Sequence, residues 1–169
     1  MIYICGLRGV AMAAAQVQPR FLISITDPGT PAPSLPGIAP ARHLKLMFHD
    51  LDAPLCGYIA PQREDIEQII AFAAGWDRQS PLLVHCHAGA RRSMATAVIL
   101  QVLSTASQER DVTRLLRTRA PHAHPNPWMI MLADVLLARN GRLIAAVEAM
   151  GPATQVVGEG PLVHLWLAP

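Results

Sequence analysis

The stretch "PLLVHCHAGARRSMATAVIL", residues 81–100, places a cysteine between two apolar segments. Residues 81–86 are short, apolar and bounded by turn residues, which is typical of a buried strand. Residues 93–106 are apolar on all sides, which indicates a helix in the interior of the domain. The sequence therefore predicts a core strand that ends at Cys86, a short loop, and a buried helix.

The residues of this loop are suited to binding a phosphate. A thiol just before a helix N-terminus faces unpaired backbone N–H groups and the positive end of the helix dipole, and both favour the thiolate. Gly89 permits a tight turn, so that successive N–H groups can point at an anion. Arg92 carries a planar fork for two phosphate oxygens, and the Ser93 hydroxyl can hydrogen-bond the sulfur. A thiolate beneath a bound phosphate can attack phosphorus, so the pattern predicts covalent phosphoryl transfer.

The rest of the chain alternates between strand and helix patterns. Residues 2–7, 21–26 and 43–48 are predicted strands, an Ala-rich segment suits a short helix, and residues 28–40 contain five prolines and form a loop. Pro61 begins a helix with one apolar face, formed by Ile66, Ile69, Ile70, Ala73 and Trp76. The pattern predicts an α/β fold with a central, mostly parallel sheet flanked by helices, and a cysteine phosphate-binding loop between a core strand and a buried helix.

Two further regions bear on the organisation of the chain. Asn126 and Pro127 form a good N-cap and first residue for a helix that runs to Arg139. Residues 153–169 are apolar, and the pattern assigns them no place in the fold. The length of 169 residues predicts a single domain over residues 1–169.

Two aspartates follow the predicted strand at residues 43–48. In open α/β sheets, ligands bind at the carboxyl ends of the strands, so Asp50 and Asp52 are expected near Cys86. Either carboxyl group is a candidate for the general acid that protonates the leaving oxygen. Asp50 lies closer to the strand, so the sheet should fix its position better than that of Asp52.

Composition limits the class of protein. Hydrophobic residues make up 51% and charged residues 15%, which indicates a folded globular chain, and a net charge of +2 gives no argument for nucleic acid binding. Three cysteines without regular spacing indicate a reducing compartment, and no apolar run is long enough to span a membrane. We therefore expect a cytoplasmic protein with no cofactor and no metal.

The segment "HCHAGARRS", residues 85–93, fits the pattern H-C-x-x-G-x-x-R-[S/T] and resembles the protein tyrosine phosphatase superfamily. The length and the upstream aspartates resemble its compact dual-specificity-like branch. The layout from "RHLKLMFHD" (residues 42–50) to "NPWMIMLADVLLARNGR" (residues 126–142) resembles small bacterial predicted tyrosine phosphatases within that branch.

This resemblance implies a role for each residue of the loop. Cys86 would be the nucleophile, Arg92 the phosphate clamp, and Ser93 the hydroxyl that assists breakdown of the intermediate, while His85 would help hold the loop and lower the pKa of the Cys86 thiol. Substrate would be bound by the residues that follow the cysteine, which are His87, Ala88, Gly89, Ala90, Arg91 and Arg92. The resembling bacterial proteins carry their general acid at the position of Asp50. Arg91 departs from the family, in which a small or polar residue usually stands before the arginine.

The resemblance implies hydrolysis of phosphotyrosine, with phosphoserine and phosphothreonine as further substrates, so the expected partner is a phosphorylated protein or a small phosphomonoester. The alternatives are a phosphoinositide or other non-protein phosphate phosphatase, a rhodanese-like sulfurtransferase, and a catalytically silent phosphate-binding module. The oligomeric state stays open, as does a role for Cys5 or Cys56 in forming a disulfide with Cys86.

Overall fold

A computed structural model describes residues 1–104 and 108–166 of the chain. Its centre is a five-stranded sheet of order β3-β2-β4-β1-β5. The strands are β1 (Ile2–Gly6), β2 (Phe21–Thr26), β3 (His43–Met47), β4 (Leu82–Cys86) and β5 (Val163–Leu165). The first four strands run parallel, and β5 pairs antiparallel with β1. The predicted fold class, α/β with a mostly parallel central sheet, is confirmed.

Helices cover both faces of the sheet. They are α1 (Val10–Val17), α2 (Arg63–Gly75), α3 (Arg92–Ser104), α4 (Glu109–Arg119), α5 (Pro127–Leu136) and α6 (Arg142–Glu148), with a short 3₁₀ helix at Pro40–Arg42. Because side chains alternate along a strand, neighbouring residues of β1 belong to different cores. Cys5 packs with α1, whereas Ile4 packs in the larger core formed with the later helices.

Helix α3 lies in the interior, as its apolar composition predicts. Twelve of its thirteen residues are buried, and it contacts β4 and the helices α2, α4 and α5. The predicted end of this helix, at residues 105–106, lies outside the described residues. This packing fixes the start of α3 rigidly against the end of β4, and those two points bound the cysteine loop, which we define as residues 86–92.

Three sequence expectations differ from the structure. Helix α2 begins at Arg63 and not at Pro61, because Gln62 has an extended backbone and acts as the N-cap. Helix α5 ends at Leu136 and not at Arg139, because Ala138 takes a left-handed backbone conformation with φ of 50°. The apolar tail, which had no predicted place, supplies the edge strand β5 beside β1. Before that strand, the Glu159 carboxylate accepts hydrogen bonds from the backbone N–H groups of Arg8 and Gly9, at 2.9 and 3.2 Å. The tail is thereby tied to the turn between β1 and α1.

Candidate active site

The carbonyl groups of the cysteine loop accept hydrogen bonds from three other segments of the chain. The carbonyl oxygen of His87 accepts from the backbone N–H of Leu7 at 3.0 Å, and that of Ala88 accepts from Gly160 at 2.9 Å. The carbonyl oxygens of Ala90 and Arg91 accept from the backbone N–H groups of His124 at 2.9 Å and Asn126 at 3.3 Å. Within residues 1–104 and 108–166, the amide N–H groups of residues 87–92 donate no hydrogen bond to another protein group. Carbonyls bound outward and amides left free are the features of an anion-binding nest.

Gly89 allows this loop to pack against the end of β1. Its φ is +72°, and an added Cβ would lie 2.6 Å from the carbonyl carbon of Cys5 and from the backbone nitrogen of Gly6. These neighbours are backbone atoms of a sheet strand, so they cannot move aside cheaply. A side chain at this position would therefore strain the backbone and push the loop away from the sheet.

We expect Gly89→Ala to lose most of the activity that the loop supports and to lower the melting temperature. The left-handed conformation alone costs an alanine about 1–2 kcal/mol, which corresponds to about 2–8 °C for a chain of this size. Thermal unfolding followed by circular dichroism measures this effect. Gly75→Ala is the matched control, because Gly75 lies in α2 with open space around its Cα. Equal stability and activity in Gly89→Ala and the native protein would contradict the packing argument.

The sulfur of Cys86 lies at the base of the loop. Cys86 is 2% exposed, and its Sγ lies 3.2 Å from the Ser93 Oγ, in the first turn of α3. A hydroxyl at this distance can donate a hydrogen bond to a thiolate, which stabilises the charged form of the sulfur. The structure therefore brings the predicted cysteine and serine together.

His85 precedes the cysteine and lies fully buried inside the sheet. Its Nε2 lies 2.7 Å from Ser24 Oγ, and the same hydroxyl lies 2.8 Å from Nε2 of His43. Burial lowers the pKa of His85 to about 4, so the ring is neutral at pH 7. His85 can thus support the loop through hydrogen bonds in the sheet, but it brings no positive charge to the sulfur.

Arg92 is anchored at one end of its guanidinium group. Its Nη1 donates to Asp27 Oδ1 at 2.7 Å and to the carbonyl oxygen of Phe48 at 2.6 Å. Its Nε is buried, with no hydrogen-bond partner in the described part of the chain. A guanidinium that is fixed through one nitrogen, and has a buried N–H without an acceptor, is suited to an incoming oxyanion.

Asp27 was missed by the sequence analysis. It follows β2 directly, at the carboxyl end of the strand that pairs with β4, so its place beside the cysteine loop follows from the parallel sheet. The rule that ligands bind at the carboxyl ends of parallel strands also predicted a role for Asp50 and Asp52 after the third strand. The signal for Asp27 was therefore present, in the segment "FLISITD" (residues 21–27), but a turn aspartate before Pro28 has an ordinary structural explanation.

The two candidate acids differ in their surroundings. Asp50 contributes to a cavity of about 370 Å³ above the cysteine loop, whereas Asp52 is not among its lining residues. The side chain of Asp52 is 62% exposed and that of Asp50 is 27% exposed. The cavity is lined by Asp27, His49, Asp50, Leu51, Tyr58, Cys86, His87, Ala88, Arg91 and Arg92. The structure therefore brings Asp50 to the predicted loop and leaves Asp52 at the outer edge.

Arg91 extends toward the segment of residues 49–52, which we call the aspartate loop. Its Nε donates to both carboxylate oxygens of Asp50, at 3.1 and 3.2 Å, and its Nη2 bonds Asp52 Oδ1. Asn126 also donates to Asp50, at 2.7 Å. Sequence analysis predicted Asn126 only as a helix cap, a role that it has as well, since its Oδ1 accepts from Met129 N.

The remaining cysteines have different environments. Cys5 is buried, and burial raises the pKa of its thiol to about 12, so it stays protonated at neutral pH. Cys5 and Cys86 belong to hydrophobic clusters on opposite faces of the sheet, and Cys56 is exposed. Within the described residues, no group of three His, Cys, Asp or Glu side chains is placed to hold a metal ion, and no helix is long and apolar enough to cross a membrane.

The sheet order, the cysteine loop and the buried helix that follows it together form a fold that is similar to that of solved dual-specificity phosphatase structures. DUSP15 superposes with a TM-score of 0.65 at 21% identity, over 88% of this chain and 90% of its own. Human DUSP28 superposes with a TM-score of 0.62 at 19% identity, over 82% of this chain and 94% of its own. PTPMT1 in complex with PI(5)P superposes with a TM-score of 0.60 at 12% identity, over 89% of this chain and 92% of its own.

No protein-family model matches the chain, and no curated protein shows significant similarity to it. The predicted resemblance to compact dual-specificity-like phosphatases is confirmed for the fold by the solved structures alone, while the resemblance to small bacterial proteins stays a prediction. The chemistry of this chain has to be argued from its own residues.

Proposed function

We propose that the protein is a cysteine-dependent phosphomonoester hydrolase that works through a phosphocysteine intermediate. The observation that carries the proposal is the cysteine loop, in which the amides of residues 87–92 donate to no other group of the described residues and the anchored guanidinium of Arg92 lines the same cavity as the buried Cys86. Such a site holds three phosphate oxygens and presents the fourth, ester-linked oxygen away from the sulfur, as in-line displacement requires.

In the first step, the Cys86 thiolate attacks phosphorus, so that an S–P bond forms as the P–O bond to the leaving group breaks. Asp50 donates its proton to the departing oxygen, and the leaving group departs as a neutral alcohol or phenol. Charge on the equatorial oxygens is met by the loop amides and by Arg92.

In the second step, water attacks phosphorus and the S–P bond breaks. The Asp50 carboxylate takes up a proton from this water, which restores the acid for the next turnover. The sulfur leaves as a thiolate, and the Ser93 hydroxyl, 3.2 Å away, is placed to donate a hydrogen bond to it. The products are inorganic phosphate and the starting form of the enzyme.

The cavity walls support phosphotyrosine as the preferred substrate. Tyr58 and His49 form an edge-to-face pair, with ring centroids 5.1 Å apart, on one side of the cavity. Aromatic side chains bind a flat phenyl ring well. Phosphoserine and phosphothreonine are the second class of substrate that we propose.

A non-protein phosphate is the alternative substrate, supported by the similarity in fold to PTPMT1, which was solved with PI(5)P. A polyanionic headgroup would need cations beyond Arg92. The nearest one, Arg91, is already bound to two carboxylates, so the charges favour a single phosphate. Comparing kcat/KM across phosphotyrosine peptides and inositol phosphates decides between the two classes.

Two alternative functions, a sulfurtransferase and a catalytically silent phosphate-binding module, are less well supported. The combination of Gly89, Arg92 and Ser93 around the cysteine argues against a sulfurtransferase, and the presence of all the chemical residues argues against a silent binding module. Turnover of thiosulfate would favour the first, and phosphate binding without hydrolysis would favour the second. We further propose that residues 1–169 act as one domain in the cytoplasm, where Cys86 stays reduced.

The proposal is tested by hydrolysis of an aryl phosphate in EDTA, with the reaction stopped in acid and the protein analysed by mass spectrometry. We expect metal-independent turnover and one phosphoryl group on the peptide that contains Cys86. Turnover that EDTA abolishes, or a phosphoryl group on another residue, would contradict the mechanism.

We expect Asp50→Asn to lower kcat/KM by about 10²–10⁴-fold on an aryl phosphate with a poor leaving group. Asparagine keeps the size of the side chain but has no proton to give, so a good leaving group should show a much smaller loss. The alkaline limb of the pH–rate profile should flatten, because it reports loss of the proton from the acid.

Two variants serve as controls for this substitution. Asp111→Asn, on the exposed side of α4, should behave like the native protein on both substrates. Asp52→Asn should show no such difference between the two leaving groups. If Asp52→Asn shows this dependence on the leaving group and Asp50→Asn does not, the roles of the two aspartates must be exchanged.

A further inference from the structure

Arg91 departs from the loop pattern that the chain otherwise follows, and its side chain joins two loops. Its Nε lies 3.1 and 3.2 Å from the Asp50 carboxylate oxygens, while Nη2 of the same guanidinium bonds Asp52. One cation is therefore shared between two carboxylates, and it is partly buried, with 27% of its side chain exposed. An ion pair in this setting is screened less than a pair on the open surface.

Asn126 fixes the same carboxylate through uncharged hydrogen bonds. Its Nδ2 donates to Asp50 Oδ1 at 2.7 Å and to the carbonyl oxygen of Leu51 at 2.9 Å. Its backbone N–H donates to Arg91 O at 3.3 Å, and the residue is fully buried. The aspartate loop, the cysteine loop and the start of α5 are therefore connected through one side chain and its backbone.

The charged and titratable groups around Asp50 come from several segments. They are His49 and Asp52 from the aspartate loop, Cys86, His87 and Arg91 from the cysteine loop, Arg92 from the start of α3, and Asp27 after β2. Arg92 is bound to Asp27, which leaves Arg91 as the cation in contact with Asp50 among the described residues. A bound cation favours the carboxylate over the protonated acid, and a neighbouring carboxylate has the opposite effect.

We propose that Arg91 is a positioning residue that holds Asp50 over the cysteine loop and sets the pH range in which Asp50 donates its proton. The proposal rests on the proposed function, in which Asp50 is the general acid. Arg91 aligns the Asp50 carboxylate and places a positive charge beside it, and Asp52 competes for the same guanidinium. Asn126 supplies alignment without charge, so the two contributions can be separated by substitution.

The test is the pH dependence of kcat/KM on an aryl phosphate with a poor leaving group. Arg91→Gln removes the charge, so its alkaline limb should move to higher pH by about one pH unit. Arg91→Lys keeps the charge and loses the planar fork, so its limb should stay near the native position although the rate falls. In Asp52→Asn the Arg91 guanidinium interacts with the Asp50 carboxylate alone. The alkaline limb of this variant should therefore move to lower pH.

The opposite signs expected for Arg91→Gln and Asp52→Asn separate an electrostatic role from a structural one. A merely structural ion pair would lower the rate in these variants without moving the limb, and that result would overturn the proposal. Equal shifts in Arg91→Gln and Arg91→Lys would also overturn it, since charge would then not be the cause. If Arg91→Gln does not fold, Arg91→Met takes its place, because it also removes the charge, and an alkaline limb that stays at the native position in Arg91→Met would overturn the proposal.

Failure of this proposal differs from failure of the proposed function. If Asp50→Asn retains the native alkaline limb, Asp50 is not the acid and the proposed mechanism is wrong at that step. If Asp50→Asn loses the limb while Arg91→Gln leaves it in place, the mechanism stands and the role of Arg91 is refuted.

Discussion

Replacing Cys86 by serine is expected to lower kcat by about 10⁵-fold or more, as loss of a covalent nucleophile does in other hydrolases. A serine hydroxyl is almost fully protonated at neutral pH, so it is a weak nucleophile unless a general base activates it. The hydroxyl of Ser93 lies 3.2 Å from the sulfur, and the neighbouring His85 is bonded to Ser24.

Binding of phosphate should survive this substitution. The amides of residues 87–92 and the side chain of Arg92 are unchanged, and removal of the thiolate charge also removes repulsion of a dianion. Isothermal titration with inorganic phosphate should therefore give an affinity at least equal to that of the native protein. Loss of both binding and turnover would indicate that the loop had collapsed.

Cys56→Ser is the matched control, because Cys56 is exposed and lies outside the cysteine loop. It should keep the native rate in the presence of EDTA. A Cys86→Ser variant that also keeps most of its turnover in EDTA would show that the reaction proceeds without this sulfur, and covalent catalysis would be ruled out.

The main elements of the fold could be predicted because their signals are local. Residues 81–86 and 93–106 are apolar with the lengths of a strand and a helix, and a buried α3 follows from a helix that is apolar on every side. The edge strand β5 could not be predicted. It has three residues, and its pairing with β1 is a contact between the two ends of the chain, to which no local pattern corresponds.

The part of the site that is contiguous in the sequence could be predicted, and the part that comes from distant segments could not. The residues of the cysteine loop are contiguous, so the motif presents them together in the sequence. Asp27 and Asn126 act from other strands and helices, and each has an ordinary local explanation, in a turn and at a helix cap. Their contacts with Arg92 and Asp50 depend on the way the sheet edge and α5 converge, which a motif does not encode.

Arg91 is a residue that the motif singles out but whose contacts the motif does not predict. The sequence marks it as unusual but leaves the direction of its side chain open. Only the packed structure shows that the aspartate loop takes up its charge. The charge of Arg91 is therefore paired with two carboxylates.

Arg92→Lys is expected to lower kcat/KM on aryl phosphates by about 10³–10⁵-fold, the range found when an arginine that stabilises a transferring phosphoryl group is lost. The native guanidinium binds Asp27 and the carbonyl oxygen of Phe48 through Nη1, so its other nitrogens stay available to the substrate. A lysine ammonium group is a single point of charge. In contact with Asp27 it would be drawn away from the phosphate, and in contact with the phosphate it would leave Asp27 unpaired.

The expected loss in Arg92→Lys should appear in both kcat and phosphate affinity, because the fork binds oxygens in the ground state and the transition state. Arg114→Lys is the control for the chemical change itself, since the Arg114 side chain is 78% exposed on α4, and it should keep native kinetics. Asp27→Asn keeps an acceptor for Nη1 but removes its charge, so it should cost less than Arg92→Lys. If Arg92→Lys shows near-native kinetics, or if Asp27→Asn is the more damaging of the two, then Arg92 is not the group that holds the phosphate.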